Sequence, residues 1–223
     1  MASLIGDLLG PAIGIALSPV AVVGFILMLV SAGGMPKAWA FLFGWGLGAA
    51  LVLVIVGTLV SGTTGDSNDE PRPIVAILQL LLGAGMMFLA WRTWKGRPAE
   101  GEEPNLPEWM RKMDTVTVGK AAGLGLMLCA LNPKNLALLV SSAGAIGQAS
   151  LEGGEALLVH ALFILVACLG MLCPILVYLA AGDQGPRILG SVRQWLIANN
   201  ATIMTVLFLI LGANVLGKGI GGF

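Results

Sequence analysis

Six stretches of the chain stay apolar for about as long as a helix needs to cross a bilayer, and nothing else in the sequence restricts the fold as much. They run approximately Leu4 to Val30, Ala38 to Val60, Ile74 to Trp94, Val118 to Ile146, Ala156 to Ala181 and Trp195 to Leu216. About 20 residues at about 1.5 Å each match a hydrocarbon core of about 30 Å. In lipid a single segment satisfies its own backbone only as a helix, so these runs predict an all-α integral membrane protein with six transmembrane helices. Composition agrees: 57% of the 223 residues are hydrophobic and 11% charged, outside the range of a soluble domain. The 12 basic and 12 acidic residues cancel and sit in short stretches between the runs, so no excess charge points to a nucleic-acid partner.

Those charges set a topology. Asp7 is the first charged side chain and no Lys or Arg precedes Lys37, which is not the pattern of a cleaved secretory signal, so the first run is expected to be a retained span. The longest link, residues 95–117, carries Lys95, Arg97, Arg111 and Lys112 and by the positive-inside rule faces the cytoplasm. Alternation then puts Lys37, Arg187 and Arg193 inside. It leaves Arg72, Lys218, the acidic Asp66, Asp69 and Glu70, and Glu152 outside, with both termini extracytoplasmic. Within the link, Pro107 to Met113 reads as a short helix with Trp109, Met110 and Met113 on one apolar face. It is either a lipid-sensing element or a linker anchored by tryptophan and basic residues.

The first and fourth runs resemble each other. Ala16-Leu-Ser-Pro19 returns as Ala130-Leu-Asn-Pro133, and each motif leads to a small-residue segment, Ser31-Ala-Gly-Gly34 and Ser141-Ser-Ala-Gly144. A duplication with three spans per copy forces the second copy to enter the membrane from the other side. The expected organisation is therefore a first repeat over 1–94, a cytoplasmic linker over 95–117 and an inverted second repeat over 118–223. Each proline lies near the middle of its run. It removes an amide donor and displaces a carbonyl one turn earlier, so helices 1 and 4 are expected to break there. One such proline read alone is a kink satisfied by neighbouring helices; two in equivalent places argue for opened backbone lining a cavity.

Polar side chains gather at the breaks: Ser18 beside Pro19, and Asn132, Lys134 and Asn135 around Pro133. A lysine in mid-span costs about 2.5 to 3.5 kcal/mol to insert. Lys134 therefore either faces an aqueous or anionic site as a point charge or snorkels to an interface. His160, the single histidine, opens the fifth run as a pH-sensitive gate or an interfacial residue. Cys129, Cys168 and Cys173 lack the spacing of a metal or redox motif and read as buried small residues. The glycines of Gly44-Trp-Gly-Leu-Gly48 and of 119–125 read as faces for close helix approach.

With these motifs in place, the chain resembles the lysine-exporter superfamily. More narrowly, it resembles its actinobacterial GAP-like branch, which includes the sulfolipid-addressing and peptidoglycolipid-addressing proteins. The likeness rests on Ala16-Leu-Ser-Pro19, the linker Pro107-Glu-Trp109 and the block Ala130-Leu-Asn-Pro-Lys-Asn135. It implies export or flipping of a lipid or glycolipid across the bacterial cytoplasmic membrane, with Ser18, Pro19, Asn132, Pro133, Lys134 and Asn135 lining the substrate site. Related thiol-disulfide carriers place a cysteine at each proline motif, whereas here only Cys129 lies near one. Related nickel and cobalt carriers need histidine clusters, so no metal or other cofactor is expected.

The leading expectation is a transporter or flippase for an amphipathic, anionic lipid, working by alternating access and partnered by membrane lipids. It would act as a homodimer or beside a larger lipid exporter. The alternatives are an exporter of small polar solutes and a non-catalytic accessory subunit of such an exporter. No phosphate-binding loop is present, and no set of residues suited to acid-base or nucleophilic chemistry lies at membrane depth, so the chain is not expected to be an enzyme.

Overall fold

The computed structural model describes residues 2–62, 73–97, 116–149, 151 and 154–221. The linker segment Pro107 to Met113 and the loop charges Asp66, Asp69, Glu70, Arg72, Arg111, Lys112 and Glu152 lie outside them. The described chain forms eight α-helices: α1 (Ala2–Ala16), α2 (Pro19–Leu29), α3 (Gly34–Gly62), α4 (Pro73–Lys95), α5 (Val118–Ala130), α6 (Pro133–Gln148), α7 (Gly154–Ala180) and α8 (Gly185–Ile220). Four of them are long and apolar enough to cross a membrane. With each of the two bent pairs counted as one span, the number is six.

The bent pairs are the two runs with central prolines. Helices α1 and α2 meet at 55° and α5 and α6 at 66°, and Pro19 and Pro133 stand at the first position of the second helix in each pair. Proline suits that position because its missing N–H falls among the donors a helix start leaves unpaired anyway. The matching small-residue segments, by contrast, diverge. In the first half α2 ends at Leu29 and Ser31 to Gly33 form a turn, with Gly33 at φ 64°. In the second half Ser141 to Gly144 continue within α6. Gly33 takes a positive φ in the first segment, whereas Ala143 stands at the matching position of the second and Gly144 stays helical.

The last helix also exceeds its apolar run. It starts at Gly185, ten residues before Trp195, with proline in its first turn. At 36 residues it measures about 54 Å. The stretch 185–194, which reads as a polar link in sequence, is helical: Pro186 sits in the first turn, where proline is tolerated, and no proline follows it, the single glycine after it in that stretch, Gly190, being too weak a breaker to stop the helix.

The halves pack by exchanging partners: α3 lies on α5, α7 lies on α1, and α4 pairs with α8. Glycine permits the contact at each seam. A Cβ at Gly44 or Gly125 would strike backbone of the facing helix, at Ala122 and Phe41 respectively, and one at Gly170 would strike the carbonyl of Ala16. Between the seams, Phe25 meets Phe41 edge to face at 5.4 Å and Phe41 stacks on Trp45 at 6.1 Å.

The indole of Trp45, fully buried, donates to the Ala167 carbonyl of α7 at 3.1 Å. Trp45→Phe removes that donor while the Ala167 carbonyl, inside α7, keeps its own helical partner, which predicts a loss of about 1 kcal/mol for the bond and a further cost for the space the smaller ring leaves. Thermal unfolding in detergent, read by tryptophan-independent light scattering, measures it.

The surface is inverted relative to a soluble protein. Phe43 is 70% and Leu157 74% exposed, whereas Lys134 is fully buried. The protein is embedded in a membrane, and those apolar side chains face lipid. Lys95 lies over Trp91 at 4.6 Å and Arg97 over Trp94 at 3.7 Å at the end of α4, pairings suited to a membrane interface. The cysteines divide: Cys129 is buried and Cys168 half-buried, but Cys173 is exposed on α7, so the reading of all three as buried fails there. Position 173 falls on the outer face of a long apolar helix, where a thiol is as compatible with lipid as in a core.

Candidate functional site

The break in the first span leaves carbonyls without helical donors. In an unbroken helix Gly14 would receive the N–H of Ser18, but that N–H turns to the Ala16 carbonyl at 3.0 Å. Ile15 would receive the N–H that Pro19 lacks. The hydroxyl of Ser18 takes its place, donating to the Ile15 carbonyl at 2.8 Å, with the Asn135 amide oxygen a longer alternative at 3.3 Å. Lys134 supplies the rest: its Nζ donates to the carbonyls of Gly14 and, at 2.9 Å, Leu17.

The second break is closed from its own half. Asn132 caps α6, its side chain accepting the Lys134 N–H at 3.0 Å. Asn135 Nδ2 donates at 3.3 Å to the Leu128 carbonyl. Leu128 stands four residues before Asn132 as Gly14 stands four before Ser18. The two carbonyls are thus equivalent, and each is capped from the start of α6. At the positions matching Lys134 and Asn135 the first half has Val20 and Ala21, which offer no donor. One helix start therefore serves both breaks.

The structure brings Ser18, Lys134 and Asn135 together in a single buried cluster, each of them at most 3% exposed, with Pro19 buried beside it. Asn132 is half-buried and Pro133 exposed, both shaping α6 rather than reaching Ser18. Lys134 does not snorkel: its side chain is wholly enclosed and crosses to the opposite half. Its ammonium compensates for its burial with carbonyl oxygens.

His160 lies elsewhere. It lines a cavity of about 430 Å³ bounded by the end of α3, the end of α6 and the start of α7, together with Leu53, Gly57, Thr58, Ala143, Ile146, Gly147 and Ala156. Its Nδ1 is 2.7 Å from the Ala156 carbonyl. A carbonyl only accepts, so Nδ1 is the donor in this contact. On the other flank of α7, Leu8, Ala12, Val159 and Phe163 line a wholly apolar groove of about 100 Å³ against α1. A polar-edged cavity and an apolar groove thus share one helix.

Sequence reasoning finds the side chains of the breaks but not their acceptors, because every residue carries a carbonyl and the letters do not tell which lose their donors. It also passes over Ser141 and Ser142 as mere small residues, and over Thr58. Both serines are buried, and neither hydroxyl has a hydrogen-bond partner among the described residues. A polar pair in an apolar helix was the signal available.

The family model described as Sap, sulfolipid-1-addressing protein, matches residues 8–221, a span that takes in both breaks, the cluster and the cavity. No curated protein and no solved structure matches the chain.

Proposed function

The chain belongs to the sulfolipid-1-addressing protein family, and from that premise we propose that it is a transporter or flippase. In this reading it carries an amphipathic, anionic lipid or glycolipid across the bacterial cytoplasmic membrane by alternating access around the two breaks. The observation that carries the reading is the Lys134 bridge, a buried ammonium from the second half holding carbonyls at the broken end of the first. Halves that rock against each other must release and remake that bridge, and an ammonium freed from carbonyls is a ready partner for an anionic head group. The pairing of polar-edged cavity and apolar groove along α7 suits an amphipathic substrate, with head group and chain accommodated separately. No covalent chemistry and no cofactor enter this mechanism.

Orientation follows from the charges. With the 95–117 link in the cytoplasm, the cavity at Thr58 and His160 opens on the extracytoplasmic side, where α3 and α6 end and α7 begins. Among the described residues that line it, Thr58 and His160 alone are polar, which gives an exporter of small polar solutes less support than a lipid carrier. A second reading does have an observation behind it: Ser18, Lys134 and Asn135 satisfy one another and the nearby backbone, as they would in an accessory subunit of a larger exporter that carries nothing itself.

Purified protein in phosphatidylcholine vesicles containing NBD-phosphatidylglycerol separates the two. Dithionite quenching of inner-leaflet probe is expected at least tenfold faster than in empty vesicles. An equal rate favours the accessory role.

A further inference from the structure

Of the buried polar side chains that the mechanism above leaves unused, two stand without a partner among the described residues. Ser141 and Ser142 are each 1% exposed, and neither Oγ finds a partner. Helical hydroxyls elsewhere in the chain turn back on their own helix: Thr205 donates to the Ala201 carbonyl at 2.8 Å and Ser191 to that of Arg187 at 3.3 Å. An unmade bond at a buried hydroxyl is destabilising, and in a native fold it calls for an explanation. Position supplies one. Seven residues are two helical turns, so Lys134 and Ser141 share one face of α6, as do Asn135 and Ser142, at a separation of about 10 Å. Immediately beyond them, Ala143, Ile146 and Gly147 of the same helix line the cavity at His160.

We propose that Ser141 and Ser142 form a second binding station for the substrate's oxygen-rich head group, midway along α6 between the Lys134 bridge and the outer cavity. The inference rests on the transport reading and adds a route to it. A hydroxyl both donates and accepts, so the pair serves phosphate oxygens and sugar hydroxyls alike. Having no intramolecular bond to break, the station takes up and yields a passing head group without a competing partner. The station is closed in this conformation and opens when α6 moves against α3 and α1, the helices it packs on.

Two measurements test it. In vesicles containing either NBD-phosphatidylglycerol or NBD-glucosylceramide, the double variant Ser141→Ala/Ser142→Ala is expected to melt no lower than wild type while moving lipid at least tenfold more slowly. Loss with one lipid alone supports the station and identifies the oxygen class it serves. Unchanged rates with a lipid that the wild type moves overturn the station and leave the transport reading standing.

If the wild type moves neither lipid, it is the transport reading that fails for them, and labelling decides the station. In a background with Cys129, Cys168 and Cys173 replaced by alanine, Ser141→Cys and Ser142→Cys are expected to react with a water-soluble maleimide added outside. Gly147→Cys is the reactive control and Leu139→Cys the silent one. Absence of reaction at both serine positions means that the path never opens there, and the proposal falls.

Discussion

Lys134→Met is expected to reach the membrane in wild-type amounts and to move lipid at least tenfold more slowly. Two opposed effects keep the protein folded. Removing the ammonium relieves an insertion cost of about 2.5 to 3.5 kcal/mol, and methionine fills nearly the same volume. It also orphans the Gly14 and Leu17 carbonyls, at about 1 to 3 kcal/mol each. The net change runs from about 1.5 kcal/mol stabilising to about 3.5 kcal/mol destabilising, small enough for the variant to be purified and assayed. What methionine lacks is a charge to exchange between carbonyls and a head group. Wild-type transport by the variant would reduce Lys134 to a staple for the break. Failure to insert would mean that the carbonyl caps outweigh the relief, and that the residue acts first on folding.

Gly44→Ala should be among the most damaging single-methyl additions. Its Cβ would meet the backbone carbonyl of Ala122, and backbone of a packed helix cannot turn aside as a flexible side chain does. Overpacking typically costs 1 to 3 kcal/mol, and a backbone obstacle puts this case at about 3 kcal/mol. Gly123→Ala is the control, since nothing lies within 4 Å of its would-be Cβ. There the gain in helix propensity, about 1 kcal/mol in soluble helices, is unopposed. The expected result is a lowered melting temperature in detergent for Gly44→Ala and an unchanged or raised one for Gly123→Ala. Matching curves would mean that α3 and α5 are not in backbone contact.

Hydropathy made the membrane fold legible, and proline made both breaks legible, because each acts through a property of the residue itself. The rest depended on partners. Nothing in the letters says that Lys134 binds Gly14 and Leu17, since the acceptors are main-chain atoms in a distant span. The segments at Ser31 and Ser141 look alike, yet one turns and the other stays helical, the difference resting on the positive φ of Gly33. The start of α8 was missed because arginines and glutamine suggest a loop in a chain whose other spans are apolar, although Arg187 and Gln194 are tolerated where a helix leaves the bilayer. The family was recognisable from short motifs. The cavity around His160 was not, because it sets the end of α3 against the end of α6 and the start of α7, which lie far from α3 in the chain.

The one-sided capping of the breaks also has a consequence for biosynthesis. Gly14 and Lys134 are 120 residues apart, and at about 5 to 20 residues per second a ribosome takes roughly 6 to 24 s to pass from one to the other. Throughout that interval the first span is in or beside the translocon with its Gly14 and Leu17 carbonyls uncapped, while the second half, arriving later, carries the donors for its own bend with it. The halves are thus unequal as folding units. Expressed alone, residues 118–223 should persist in the membrane far longer than residues 1–94, and supplying both pieces together should rescue the first from degradation.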